Sequence, residues 1–295
     1  MSTSVAFTIF GIDILWYGLV YSVASLFAYI YFLKYFNDSN LSESQKDVAF
    51  IIMLISALVG ARLFYTLVYF PEFYLSNLGQ ILRVDQGGMS AHGSFVGLII
   101  GCYIVGRKYN VPMFKFTDFF MAPGILALAF GRLGNLFNQE LPGIPTDSRI
   151  SMVFPEFDDV KRYPYQLLAG AKTLFVFHIV VYLQLFKSLK LGILTAFTAM
   201  MYSSSRFMLD FIREPTTLFL NFPVGQWLSL IMFIISVYYL YKLYYTNIGG
   251  DERSFFKSRY EEENIVHKNY NNNKLNKNNT NNYINNKKRN SKKKK

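Results

Sequence analysis

The stretch FGRLGNLFNQEL, residues 130–141, brings Arg132, Asn135, Asn138 and Glu140 in behind MAPGILALAF (121–130), which carries no charge. At about 100° per residue, Arg132, Asn135 and Asn138 fall within an arc of about 120° on a helix. Pro142 and Gly143 then end it, with Glu140 near the break. An arginine facing lipid costs at least ~2.5 kcal/mol. Arg132 is therefore expected to face the interior of a bundle and to have a partner there. Two chemistries fit. One is an Arg–Glu or Arg–Asp clamp between helices. The other is an anion site, because arginine forks two N–H donors onto a phosphate and neighbouring amides orient it.

MYSSSRFMLDFIREP (201–215) repeats the theme, with Tyr202, Arg206 and Asp210 four residues apart along one face. Arg206 and Asp210 can pair within the helix. What that leaves unexplained is a second arginine at the depth of Arg132. Two arginines in one polar layer repel unless an anion lies between them, and in a membrane a phosphate head group is the natural candidate. A third stretch, GGMSAHGSFVG (87–97), carries His92 and begins a four-residue repeat of Gly93, Gly97 and Gly101. That repeat reads as close helix packing. His92 can exchange a proton near neutral pH, although a lone histidine is more often a hydrogen-bonded core residue, and both readings stand. His178, in FVFHIVV, has no polar companions and reads as packing.

Other chemistries find no residues to carry them. There is no HExxH and no glycine-rich phosphate loop followed by lysine, and Cys102 is the single cysteine. Internal disulfides and cysteine metal sites are thereby excluded, and no metal or cofactor is expected.

The elements that must position these residues are visible as apolar blocks of roughly 20 residues, the length that crosses a bilayer as a helix. Seven occur, at about 14–33, 48–70, 88–106, 117–138, 165–187, 193–213 and 225–244. The expected fold class is an all-α polytopic membrane protein of about seven transmembrane helices. Residues 1–244 form the membrane domain. Residues 245–295 are a basic Asn/Lys-rich tail that cannot bury a core and is expected to be disordered. That tail carries +8 of the chain's net +11, so the charge points to the cytoplasmic side or to anionic lipid rather than to nucleic acid. The start, MSTSVAFTIFGID, lacks a basic n-region, and the first block is too long for a signal peptide, so it reads as a retained span.

Loop charges orient the bundle. Lys34 and Lys46, then Arg107, Lys108 and Lys115, then Lys187 and Lys190 mark alternate links, whereas the intervening links are poorer in cations apart from 139–164. The pattern gives an outer N-terminus and a cytoplasmic C-terminus. Tyr17, Arg62, His92, Arg132, Asn135, Asn138, Arg206 and Gly225 then converge on one depth just below the outer surface.

Taken together, these residues resemble a family. FGRLGNLFNQELPG is similar to the GRxGNFxNxExxG signature of prolipoprotein diacylglyceryl transferases, integral membrane enzymes of bacteria. LWYGLVY (15–21) resembles WYGLMY, GARLFY (60–65) the GARL segment, and GGMSAHG (87–93) the motif GGMSFHGG. TD (146–147), MVFP (152–155), Tyr202…Arg206…Asp210 with REP (213–215), and GQWLS (225–229) follow in order. The likeness covers about residues 12–245. Departures are Ser94 for glycine, Asp210 for glutamate, and YPYQLLA (163–169) for HPSQLYE.

The resemblance implies transfer of the diacylglyceryl group of phosphatidylglycerol to the lipobox cysteine of a prolipoprotein signal peptide, with glycerol phosphate leaving. It implies a bacterial inner-membrane enzyme with its active site toward the outer leaflet. His92, Arg132 and Arg206 become the expected catalytic residues. Tyr17, Arg62, Asn135, Asn138, Glu140, Gly143, Tyr202 and Asp210 become the expected substrate-binding ones, with Glu140 and Asp210 holding the arginines. Two rivals of other classes remain, a lipid or anion transporter and a non-catalytic homologue.

Overall fold

A computed structural model describes residues 5–246 except 11, 37, 39, 85, 86, 188, 216 and 217; most of the expected tail lies outside the described residues. Each apolar block is a helix: α1 (Trp16–Tyr35), α2 (Glu43–Phe64), α4 (Ala91–Tyr109), α5 (Met113–Phe137), α6 (Tyr165–Phe186), α7 (Ile193–Leu209) and α8 (Val224–Tyr245). A short α3 (Pro71–Ser76) follows a π-helical turn, Tyr65–Tyr69, that prolongs α2. Among the described residues, five helices are long and apolar enough to cross a membrane: α1, α2 with its π-helical turn, α5, α6 and α8. The chain is thus a polytopic, mostly helical membrane protein. α4 and α7 are not among the five. α7 has only 17 residues, and both carry polar and small residues on faces that neighbouring helices cover.

The helix ends follow from local chemistry. α2 begins with a capping box in which the Ser42 backbone N–H donates to Gln45 Oε1 at 2.9 Å. α4 begins at Ser90, whose hydroxyl accepts from the Gly93 N–H, and ends at Asn110 in the left-handed region. α2 and α4 pack with their backbones in near contact. A Cβ on Gly97 would lie 2.1 Å from the Ser56 carbonyl oxygen, and one on Gly93 2.4 Å from that of Gly60. The repeat of small residues is therefore a packing seam, as its spacing suggests.

The two ends of the bundle differ in chemistry. At one, Phe32, Phe36, Phe50, Phe116, Phe119 and Phe120 form a buried aromatic cluster, with the Phe36 and Phe116 rings stacked at 4.9 Å. At the other, three hairpins each lead into a helix. They are β1–β2 (Val5–Ile9, Ile12–Leu15) before α1, β3–β4 (Met152–Phe154, Asp158–Arg162) before α6, and β5–β6 (Leu218–Phe219, Phe222–Pro223) before α8. The last turns through Leu220 and Asn221, both at positive φ, the geometry of a tight two-residue turn. Hairpins of this kind fix where α1, α6 and α8 start, and those starts carry Tyr17, Tyr165, Gln166, Gly225 and Gln226.

Candidate active site

The C-terminal turn of α5 anchors the site. Arg132 Nη1 donates to Asn135 Oδ1 at 3.2 Å, and the Asn135 amide in turn bonds the Tyr17 hydroxyl. Tyr17 donates to Glu140 Oε2 at 2.9 Å, and the Asn138 amide to Glu140 Oε1 at 3.0 Å. Glycine makes this possible. Gly134 and Gly131 leave the space taken by the Tyr17 ring and the Tyr21 hydroxyl, since a Cβ at either would lie 3.0 Å or less from them. Gln139 and Leu141, on either side of Glu140, both adopt positive φ, a costly backbone that recurs where a site is held in one shape. Gln166 of α6 donates to the Glu140 carbonyl at 2.6 Å.

The expectation that Glu140 clamps an arginine is corrected here. Its two carboxylate oxygens accept from Tyr17 and Asn138, and among the described residues Arg132 has no carboxylate within ion-pair distance. Arg206 does: its Nε lies 3.5 Å from Asp210 Oδ2, and its Nη1 donates to the Tyr202 hydroxyl at 3.2 Å. Asp210 also accepts a hydrogen bond from Tyr165. Two departures from the signature are therefore partners. Tyr165 stands where HPSQLYE has serine, and its longer side chain reaches an aspartate one methylene shorter than the usual glutamate. The start of α8 closes over this pair, a Cβ on Gly225 lying 3.4 Å from Asp210 Oδ2.

His92 is buried at the first turn of α4, where its Nε2 lies 3.4 Å from Ser229 Oγ of α8. Ser229 donates its own proton to the Gly225 carbonyl at 2.8 Å, so it can only accept from His92. That assigns the proton to Nε2 and leaves a lone pair on Nδ1, which has no partner among the described residues. Arg206 and His92 both meet the first turns of α8: a Cβ on Gly225 would lie 3.5 Å from Arg206 Nη2, and Ser229, one turn on, touches His92.

Two expected binding residues have other partners. Arg62 donates to the carbonyls of Gln80, Ile81, Gly87 and Gly88 at 2.6–3.1 Å. It ties these residues to α2, just before the Ser90 cap of α4. Gly143 lies where a Cβ would meet Tyr163 and Ile212 at 2.6–2.8 Å, and its N–H donates to the Tyr163 carbonyl. It lets the 140–146 segment pass between the loops before α6 and after α7. Arg162 fastens the same segment. It pairs with Asp158 at 2.6 Å and Glu214 at 2.7 Å, and donates to the Gly143 carbonyl.

Comparison with known sequences decides the family. The sequence model described as prolipoprotein diacylglyceryl transferase matches residues 4–242. This chain belongs to that family. Relatives named phosphatidylglycerol–prolipoprotein diacylglyceryl transferase include one from Wolbachia pipientis subsp. Culex pipiens (strain wPip), 35% identical over 242 residues, covering 79% of this chain and 92% of the relative. One from Nitrosomonas europaea is 34% identical over 268 residues, covering 88% and 96%. One from Bordetella avium is 37% identical over 230 residues, covering 74% and 86%.

Sequence reasoning placed Tyr165 and Gln166 in YPYQLLA and Ser229 in GQWLS without assigning them to the site, and passed over Lys172. For Lys172 a signal was present, since it is the only Asp, Glu, Lys or Arg between Tyr165 and Phe186. The other three lie in those motifs, but as uncharged residues they give no hint of which partner each one meets.

Proposed function

We propose that this transferase moves the diacylglyceryl group of phosphatidylglycerol onto the lipobox cysteine thiol of a prolipoprotein. The observation that carries the reading is Arg132, a cation inside an apolar bundle with no carboxylate within ion-pair distance among the described residues, and with Arg206 near enough for the two charges to repel. An anion between them answers the repulsion. The cysteine sulfur attacks the glyceryl carbon, a carbon–sulfur bond forms, the carbon–oxygen bond to phosphate breaks, and glycerol phosphate leaves. A phosphodiester with one negative charge becomes a monoester approaching two. Donors aimed at that phosphate bind the transition state better than the ground state, which is the condition for accelerating the step.

Asn135 holds Arg132 and Tyr202 holds Arg206 by the hydrogen bonds described above. Tyr17, Asn138 and Glu140 form the framework behind Arg132, and Asp210 steadies Arg206. His92 Nδ1 takes the proton of the incoming thiol, since the thiolate is the nucleophile. Arg62 and Gly143 act on substrate through the segments they shape. Seven spans cross a bacterial inner membrane with the N-terminus outside and the site toward the outer leaflet. Residues 1–244 form the catalytic unit, and the basic tail 245–295 lies in the cytoplasm. Within that frame both substrates reach the site laterally from the lipid.

Detergent-purified protein incubated with phosphatidylglycerol and a lipobox peptide, followed by mass spectrometry, tests the reading. The expected product is the peptide with a diacylglyceryl thioether, absent for a folded Arg132→Ala variant. No adduct from the wild-type protein, or an undiminished one from the variant, would overturn it.

A further inference from the structure

Lys172 lies on the second turn of α6 and points between helices rather than outward. Its Nζ donates to Ser205 Oγ of α7 at 3.2 Å and sits 4.2 Å above the centroid of the Tyr202 ring. Ser205 passes its own proton to the Tyr202 carbonyl, so it presents a lone pair to the ammonium. Two residues earlier, α6 runs against Arg132, a Cβ on Gly170 lying 3.6 Å from that of the arginine. α6 thus inserts Lys172 between Arg132 of α5 and Arg206 of α7, and the charges of both reach it. No carboxylate lies within ion-pair distance of it among the described residues.

An ammonium has three donors. Ser205 takes one and the Tyr202 face satisfies another electrostatically, which leaves one without an acceptor among the described residues. Lys172, Arg132 and Arg206 lie close enough for their charges to repel, and Asp210, 3.5 Å from Arg206, is the one carboxylate that acts on Lys172 among the described residues. Three cations against that carboxylate leave an excess of positive charge. A phosphomonoester approaches two negative charges at neutral pH, its second pKa being about 6, whereas a phosphodiester carries one. Excess positive charge within a bundle is costly unless an anion neutralises it.

We infer that Lys172 is a third cation of the phosphate site, binding the phosphate of the donor lipid and, more strongly, the phosphomonoester that leaves. The inference rests on the phosphatidylglycerol reading above. It adds a specificity-determining residue contributed by α6, and its ligand is recognised by charge rather than by the lipid chains.

The test is steady-state kinetics of Lys172→Met and Lys172→Arg with phosphatidylglycerol and a lipobox peptide, with product inhibition by added glycerol phosphate. Removing one charge-assisted contact is expected to lower kcat/KM by about ten- to a hundredfold. Inhibition by glycerol phosphate should weaken by at least the same factor, and Lys172→Arg should recover most of both. Lys172→Gln serves the same purpose should the methionine variant not fold. Unchanged product inhibition in a folded neutral variant would overturn the inference even if turnover fell, because a cation that touches the phosphate must contribute to the affinity of the phosphomonoester. Failure of the wild-type protein to form the thioether would instead remove the reading on which it rests.

Discussion

Tyr165 and Asp210 exchange a hydrogen bond between the start of α6 and the end of α7, and the same carboxylate faces Arg206. Each side chain differs from the signature, and each makes sense only beside the other. Tyr165→Ser alone leaves a buried carboxylate oxygen without its donor. Asp210→Glu alone moves the carboxylate by a methylene and so off the Tyr165 hydroxyl and the Arg206 guanidinium that it meets as aspartate. The double variant is expected to be less damaged than the sum of the two, with a coupling of about 0.5–3 kcal/mol. Thermal unfolding in detergent and turnover of the three proteins would measure it, and strict additivity would show the two positions to be independent. Substitution to the family's residues is thus expected to harm this protein when made one position at a time.

At the scale of elements, the hairpin β3–β4 and the seam between α2 and α4 do different work. Arg162 hydrogen-bonds Asp158 and holds its carboxyl below the usual aspartate range. A folded pKa below the unfolded value of about 3.9 contributes stability above that pH and loses it as pH falls through the folded value. Amide exchange in the 143–162 segment should therefore be unaffected by this pair from pH 5 to 8 and lose protection below about pH 4. Protection that fell instead near pH 7 would point to another group. In the seam, Gly97→Ala drives a methyl into the Ser56 carbonyl. Overpacking of this kind costs about 1–3 kcal/mol, visible as a lower unfolding midpoint, and it should displace His92 enough to reduce turnover.

Helix positions were legible from apolar content, while helix ends were not, because capping chemistry sets them. The block at 48–70 is preceded by Glu43–Lys46, polar residues that the Ser42 capping box draws into α2. Arg132, Arg206 and His92 stood out because each is expensive in an apolar setting. Their partners are tertiary facts. Nothing in the sequence separates an arginine clamp by Glu140 from the Tyr17 and Asn138 hydrogen bonds that the fold provides.

For the whole molecule, seven helices with their polar ends gathered at one side predict where reagents can reach. Cys102 is the only cysteine and is fully buried, so the native chain is a blank background for thiol labelling. Glu156, exposed in the hairpin turn beside the site, and Glu43, exposed at the opposite end of the bundle, are suitable reporters. In intact spheroplasts a membrane-impermeant maleimide should label Glu156→Cys and leave Glu43→Cys unlabelled until the cells are lysed. The reverse pattern would invert the proposed orientation.

The burial of Cys102 bears on the chemistry as well. It packs against Met53 with its sulfur 3.6 Å from the thioether, ten residues along α4 from His92, or about 15 Å of helix. A protein that alkylates cysteines all its life would consume itself if its own sulfur could enter the reaction layer. Here the sole cysteine is buried between α2 and α4, away from the proposed base. On the proposed mechanism the chain is therefore expected not to lipidate itself, and its intact mass should stay unchanged after many turnovers.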